Sequence, residues 1–474
     1  MDLLKSNVNK IFFKYLFAAI GSALITSIYS IVDCIMVGQY EGPDGTSALA
    51  VVMPIWNMMF AFALLFGLGG SVLMSNLRGK GMHRQGNAMF TSSFICVCAI
   101  TAIMLPIFIV FDAPLLKLFG AGDNQHVLAL SRDYAFWLKF AMPLFTIGQA
   151  LAVFIRNDNN PSLAMAAVLS GGIFNIFGDY IFVFVADMGA SGAGLATSIG
   201  QFIAVCVLLT HFLRKKNTLR FVRPERFFRS VGTMIKVGCP TFVIDMAAAL
   251  SSTLFNNQIR EYCGFAALAV FGVIINVAMM VQSFSSGIGQ AIQPIVSVNY
   301  GAENHQRVKS FFLRGLGTVG VFTAVIVALC MLLPKELIYA FMTPTEEVLA
   351  SGPSYMRAYF VAFVFMIYNI FSMYYLQAVM RSWLSVAVSV LRSLILGGGL
   401  VLLLPPLLGA DIVWWVMPIA EGVTAVFATT ILLLTFFGPL KTAHKQGEGL
   451  QTVAEKEVGT SSEEVEPSAE TDEV

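Results

Sequence analysis

Charged side chains are scarce in this sequence. They make up 12% of the 474 residues, whereas hydrophobic residues make up 57%. A soluble globular domain usually carries about 25% charged residues and about 45–50% apolar ones. Because a water-soluble core cannot bury so large a surplus of apolar surface, the composition predicts an integral membrane protein. It excludes a secreted enzyme or a cytosolic domain for most of the chain.

Several chemical motifs are also missing. The seven cysteines are odd in number and contain no CxxC pair, which argues against a disulfide framework and a zinc site. No GxxxxGK[ST] loop is present to bind ATP phosphates, and no HExxH motif occurs. The sequence therefore predicts neither an enzyme nor a cofactor, and its basic residues need no nucleic acid.

Twelve apolar stretches are long enough to cross a bilayer as helices. The predicted fold class is an all-α integral membrane protein with twelve transmembrane helices. Their predicted limits are residues 11–37, 50–76, 89–111, 134–155, 163–186, 192–213, 237–260, 266–298, 312–333, 355–380, 383–408 and 412–437.

Basic residues are distributed unevenly between the two sides of these spans. The side with both chain ends has lysines and arginines at 5–14, 78–84, 156, 214–229, 307–314, 381 and 441–445. The other side has only Lys117, Arg132, Lys139, Arg260, Lys335 and Arg357. Since basic loops remain in the cytoplasm, both termini are predicted to be cytoplasmic.

The two halves of the hydrophobic region resemble each other at an offset near 220 residues. Ala-Leu-Ala-Val at 48–51 recurs at 267–270, and Gly-x-Gly at 67–69 recurs at 287–289. Because each half has an even number of spans, the repeats are parallel and related by an axis along the membrane normal, as in many transporters.

These repeats define four predicted regions. An N-terminal six-helix bundle covers 1–213, a basic cytoplasmic linker 214–231, and a C-terminal six-helix bundle 232–440. The remaining segment, 441–474, contains nine acids and three lysines and is predicted to be a disordered acidic tail.

Three polar residues of the first half stand out, because a charge at the bilayer centre costs roughly 2.5–3.5 kcal/mol. Asp33 and Asp179 both fall in the outer half of their spans, and Asn175 precedes Asp179 by one helical turn. Together they predict a site of hard oxygens for a proton or a small cation. The alternative is a set of polar contacts between helices.

The second half contains three further candidates. Asp245 lies about eight residues into the seventh span and is either a second protonation site, a substrate counter-ion or a polar contact near the interface. Arg392 and Glu421 are predicted at similar depths on the last two spans, where they form a structural ion pair or take part in transport.

Four stretches resemble the multidrug and toxic compound extrusion (MATE) transporters, in particular a MepA-like bacterial subgroup. They are Ile-Val-Asp-Cys-Ile-Met-Val-Gly at 31–38, Asn-Ile-Phe-Gly-Asp at 175–179, Gly-Ala-Gly-Leu-Ala-Thr at 192–197, and Gln-Pro-Ile-Val-Ser-Val-Asn-Tyr-Gly at 293–301. The resemblance implies two six-helix bundles around a cleft, with cationic or amphiphilic compounds exported in exchange for H⁺ or Na⁺. It places the family's cation site on Asp33, Asn175, Asp179 and Thr197.

The resemblance also implies a monomer in the bacterial inner membrane, with small-molecule drugs as substrates and the lipid bilayer as its environment. The chain lacks the acid that some members carry in span 10. The alternative function is flipping of a lipid-linked oligosaccharide or peptidoglycan precursor. Since a pyrophosphate needs a cationic cavity and Arg392 is the one clear central base, the exporter is favoured.

Overall fold

The computed structural model describes residues 3–121, 125–214, 217–224, 226–341 and 344–437. Within these ranges the regular elements are all helical, and no strand occurs. The predicted acidic tail, 441–474, lies outside the described residues.

The first half of the chain forms what we call the N-lobe. Its α-helices are α1 (Val8–Gly79), α2 (His83–Val110), α3 (Asp112–Leu116), α4 (Gln125–Asn157), α5 (Pro161–Asp179) and α6 (Gly189–Leu209). Lys117–Ala121 and Tyr180–Val185 are π-helical, and Thr210–Leu213 is a 3₁₀ turn.

The second half forms the C-lobe. Its α-helices are α7 (Phe227–Gly301), α8 (His305–Leu332), α9 (Pro334–Phe341), α10 (Glu346–Phe360), α11 (Ala362–Ala378), α12 (Ser382–Val390), α13 (Gly399–Leu408) and α14 (Val413–Phe437). Leu391–Gly398 is π-helical, and Ala410–Ile412 is a 3₁₀ turn.

The longest helix of each lobe bends sharply at a glycine. The φ angles are 69° at Gly42 in α1 and 85° at Gly264 in α7, a left-handed backbone that favours glycine. By length and composition α1 therefore supplies two candidate membrane spans, Val8–Gly42 and Asp44–Gly79, and α7 supplies one, Val270–Gly301. The predicted span limits leave gaps at 38–49 and 261–265, and the structure fills both with a bend of a continuous helix at equivalent positions of the two repeats.

Eleven helical segments of the described residues are long and apolar enough to cross a membrane. The twelfth predicted span, 237–260, falls within the first arm of α7, residues 227–263. The predicted all-α membrane fold is thus confirmed.

The chain divides into two compact units, Met1–Ala425 and Val426–Val474. The described part of the second unit is the last stretch of α14. The first unit contains the N-lobe and the C-lobe as far as Ala425, and the candidate functional residues all belong to it.

The two lobes meet closely at the face that the lysine and arginine distribution assigns to the cytoplasm. We call it the basic face; it comprises residues 78–84, 156–160, 217–224 and 301–307. A Cβ atom on Gly79 would overlap the Val298 carbonyl oxygen, and one on Gly301 would overlap the Asn76 carbonyl oxygen. Only glycine permits this backbone approach, which closes the interlobe gap at the basic face.

Candidate functional site

The four N-lobe residues proposed for a cation site come from three different helices. Asp33 lies on the first arm of α1, Asn175 and Asp179 lie on α5, and Thr197 lies on α6. All four side chains are buried, and Asp179 is completely inaccessible. The fold therefore brings residues that are far apart in sequence into the interior of one bundle.

Hydrogen bonds connect three of these residues. The Asn175 Nδ2 group donates to Asp179 Oδ1 at 3.3 Å and to Thr197 Oγ1 at 3.1 Å. The first bond joins residues one helical turn apart, and the second joins α5 to α6. Asn175 thus orients both a carboxylate and a hydroxyl within the bundle.

Tyr134, on α4, is the hydrogen-bond partner of Asp33. Its hydroxyl donates to Asp33 Oδ2 at 2.9 Å. The side chain is buried, with 4% of its surface exposed. The site therefore contains two hydrogen-bonded groups, Tyr134 with Asp33 and Asn175 with Asp179 and Thr197.

Three buried oxygen atoms of this network have no hydrogen-bond partner among the described residues: Asp33 Oδ1, Asn175 Oδ1 and Asp179 Oδ2. Neither carboxylate forms a salt bridge with a basic residue that the structure describes. A buried anion without a partner is costly, so these oxygens favour a proton or a hard cation such as Na⁺.

Two local features surround the network. Asp179 is the last residue of α5, and the π-helical segment Tyr180–Val185 follows it directly. Such segments are frequent at functional sites. A cavity is lined by Asn175 and Thr197 of the network, by other polar residues such as Tyr29 and Gln201, and by glycines and small apolar residues of the same bundle. The network is therefore adjacent to a space that a small species can occupy.

The C-lobe candidates Arg392 and Glu421 are in direct contact. The Arg392 Nε group lies 2.5 Å from Glu421 Oε1, and Asn369 Nδ2 donates to Glu421 Oε2 at 2.8 Å. Both charged side chains are buried. Asn369, on α11, is a partner that no sequence pattern singled out.

Asp245 lies near the boundary between the lobes. It is partly buried, and its Oδ2 atom is a buried oxygen without a hydrogen-bond partner. Tyr374 on α11 lies close enough to interact electrostatically with both Asp245 and Arg156 of the N-lobe. The Arg156 guanidinium donates to Gln290 of α7, so these side chains bridge the two lobes.

Comparison with a family model decides the affiliation. The model described as MatE matches residues 18–181 and 240–401. The chain belongs to the MatE family. MATE proteins are transporters that need no cofactor, so this chain is a transporter and not an enzyme.

Curated relatives and solved structures agree with this affiliation. The multidrug export protein MepA of Staphylococcus aureus (strain MSSA476) is 21% identical over 348 residues, 73% of this chain and 76% of that protein. MepA of Staphylococcus saprophyticus is 25% identical over 330 residues, 68% of this chain and 71% of that protein.

Two solved MATE structures have the same fold. An outward-facing MATE transporter superposes with a TM-score of 0.84 at 18% identity, covering 94% of this chain and 98% of that one. The MATE multidrug transporter DinF-BH, solved as a complex, gives 0.83 at 26% identity, covering 92% and 98%. The architecture of twelve helices in two bundles, predicted from the apolar runs and the internal repeat, is thereby confirmed.

A second buried polar cluster of this MATE protein was missed in the sequence. The Asp158 carboxylate, at the basic face, pairs with Arg78 Nη1 and with His211 Nε2, each at 2.7 Å. The backbone N–H of Thr218 also donates to it, at 2.9 Å. Burial alone would raise the pKa of Asp158, but hydrogen bonds from His211 and Thr218 and the Arg78 charge hold that pKa below its ordinary value.

This cluster fixes the basic linker to the N-lobe. Leu219 is buried, and the Val222 N–H donates to Thr91 Oγ1 at 2.9 Å. The Phe221 ring packs on Phe90 at a centroid distance of 5.0 Å. The described linker segment 217–224 is therefore a packed part of the N-lobe surface.

Proposed function

We propose that this MATE protein is a secondary active multidrug exporter. It extrudes cationic or amphiphilic compounds in exchange for H⁺ or Na⁺, by alternating access between two states. The observation that carries the proposal is the burial of Asp33 and Asp179 without a basic partner among the described residues, with one oxygen of each and one of Asn175 lacking a hydrogen-bond donor there.

The coupling ion is proposed to bind at this N-lobe site. Asp33, Asn175, Asp179 and Thr197 offer carboxylate, amide and hydroxyl oxygens, which suit Na⁺, while either carboxylate alone accepts H⁺. Two ionised carboxylates cannot remain buried together at low cost, so the site favours uptake of one cation.

Ion uptake is proposed to change the packing of α1, α4 and α5. With Asp33 neutralised, Tyr134 loses a charged acceptor, and the hydrogen bonds through Thr197 and Asn175 rearrange. A ligand shifts a conformational equilibrium only by its different affinity for the two states. The network supplies that difference, because its members lie on separate helices whose relative positions change between states.

Asp245 is proposed as an acidic contact for cationic substrates. Its free carboxylate oxygen lies beside the boundary between the lobes, where a cleft-bound compound makes contact with both. Asp245→Asn is expected to weaken efflux of cationic dyes more than efflux of neutral ones. Equal losses for both dye classes would remove Asp245 from the substrate site.

Flipping of a pyrophosphate-linked lipid is less well supported. This alternative needs a central positive charge to bind the pyrophosphate, and Arg392 is the candidate. The Glu421 carboxylate in contact with Arg392 neutralises that charge. We therefore propose Arg392 and Glu421 as a structural ion pair of the C-lobe.

Ethidium efflux from cells that express the protein tests the exporter proposal. Efflux at fixed pH, compared with and without Na⁺, identifies the coupling ion. Dependence on either ion gradient supports antiport. Unchanged ethidium retention relative to cells with an empty vector, at verified membrane expression, would contradict the proposal.

A further inference from the structure

Residues 3–9, which include the first two residues of α1, form a segment that crosses from the N-lobe to the C-lobe at the basic face. Arg307, at the start of α8, donates from Nη2 to the Leu3 carbonyl oxygen at 3.0 Å and to the Ser6 carbonyl oxygen at 2.9 Å. Its Nε group donates to Asn299 Oδ1 at 3.0 Å. One guanidinium therefore binds two main-chain carbonyls of this segment and a side chain of its own lobe.

Further contacts hold the segment in place. Asn299 Nδ2 donates to the same Leu3 carbonyl at 3.3 Å, and Arg314 Nε donates to Asn9 Oδ1 at 2.6 Å. The Leu3 side chain is buried, with 8% of its surface exposed. Residues 3–9 thus have polar anchors on α7 and α8, and the segment carries a buried apolar side chain.

The direction of the segment is fixed on the N-lobe side as well. Asn7 caps α1, and its Oδ1 atom accepts from the Asn9 N–H at 2.9 Å. A capped helix start limits the angle at which the preceding chain leaves. Because α1 continues into the N-lobe, the segment is a short and oriented connection between the lobes.

We propose that residues 3–9 and Arg307 form a latch that stabilises the closed basic face. The latch spans the same interface as the close backbone contacts of Gly79 and Gly301, which must separate when the transporter opens toward the cytoplasm. It releases in the inward-open state and re-forms when the lobes close. This inference rests on the alternating access proposed above.

Distance measurement between two spin labels tests the latch without substrate or ion gradient. Gln85 and Gln306 are exposed at the basic face, on α2 of the N-lobe and α8 of the C-lobe. Labelled cysteines at these positions, in a background without the seven native cysteines, report the opening of that face. In Arg307→Ala the long-distance population is expected to rise about tenfold or more, because Arg307 donates two charge-assisted hydrogen bonds to the segment and the loss of one alone has about a tenfold effect.

A matched control separates this effect from the loss of a positive charge. Lys309 is exposed on the same helix, two residues from Arg307. Lys309→Ala is expected to leave the distance distribution unchanged. Deletion of residues 2–6, with Arg307 and the Asn7 cap retained, is expected to cause the same shift as Arg307→Ala, and combining both changes should add nothing.

Two results would overturn the latch. One is a distance distribution in folded Arg307→Ala equal to that of the parent. The other is a deletion variant that keeps the parent distribution, which would show that the segment does not stabilise the closed face. This second result applies even if Arg307→Ala folds poorly. If the export proposal fails but the latch exists, the result is different. The label distances would still shift in Arg307→Ala, while the parent protein would show no dye efflux.

Discussion

Tyr134 donates a hydrogen bond to Asp33 across 101 residues of sequence. It links the first arm of α1 to α4, inside the same bundle where Asn175 links Asp179 to Thr197. Each carboxylate is therefore held by a neutral side chain of the same bundle, Asp33 by Tyr134 and Asp179 by Asn175.

Tyr134→Phe removes the hydroxyl and keeps the ring. A hydrogen bond to a charged group is worth about 1.5–3 kcal/mol, so ion binding to Asp33 should change by about tenfold or more. The lost donor favours the ion-bound form of Asp33, and the pH profile of efflux should move to higher pH. Dye efflux measured between about pH 5.5 and about pH 8.5 reports this shift.

Tyr180→Phe is the control for this change. Tyr180 follows Asp179 directly, but 57% of its surface is exposed. Its substitution should leave the profile unchanged. If Tyr134→Phe has the wild-type profile as well, the hydroxyl plays no part in ion binding.

Asp158→Asn is expected to destabilise the N-lobe. Removing one partner of a buried ion pair typically costs about 3–5 kcal/mol, because Arg78 remains buried without its carboxylate. Since interactions in the folded state depress the pKa of Asp158, its stabilisation is present above the ordinary carboxyl value of about 4 and is lost as pH falls below it.

Thermal unfolding of purified protein measures this effect. The melting temperature of Asp158→Asn should be well below wild type at neutral pH, and the two curves should converge at acidic pH. Asp133→Asn, which changes an exposed acid, should melt like wild type. A gap between Asp158→Asn and wild type that persists at low pH would show that the amide disturbs packing instead.

Glu421→Gln tests the structural role of the C-lobe ion pair. It leaves the buried Arg392 uncompensated, so the same range of about 3–5 kcal/mol is expected. Arg392→Met combined with Glu421→Gln removes the charge and should recover part of the lost stability. Thermal stability and efflux per folded molecule are the measurements; normal stability with abolished efflux in Glu421→Gln would indicate a transport role.

Topology is tested by thiol labelling of intact cells in a cysteine-free background. A cysteine at Arg220, in the linker, should resist a membrane-impermeant reagent. One at Leu118, on the opposite face and 76% exposed, should react. Reaction at residue 220 from outside would contradict the twelve-span topology with cytoplasmic termini.

Hydropathy and residue spacing predicted much of this molecule. Apolar runs located the spans, and the four-residue spacing of Asn175 and Asp179 placed both on one helix face, as their hydrogen bond shows. The helical rise along the last two spans placed Arg392 and Glu421 at similar depths, and the two side chains form an ion pair. These features depend on local periodicity and on helical rise.

Other features depend on contacts that sequence spacing does not encode. Tyr134 reaches Asp33, and His211 reaches Asp158, only because separate helices pack side by side. The helical bends at Gly42 and Gly264 lie in gaps between predicted spans, because short stretches between apolar runs do not distinguish a loop from a kinked helix.

Uphill dye efflux by Asp33→Asn and Asp179→Asn tests the coupling site most directly. Each substitution removes a charge with little change in volume, so insertion and expression should survive, as in the control Asp133→Asn. Efflux driven by an H⁺ or Na⁺ gradient should fall about tenfold or more in both single variants, since ion binding no longer biases the two states. If both variants extrude dye against its gradient at the wild-type rate, the carboxylate pair is structural and the coupling site lies elsewhere.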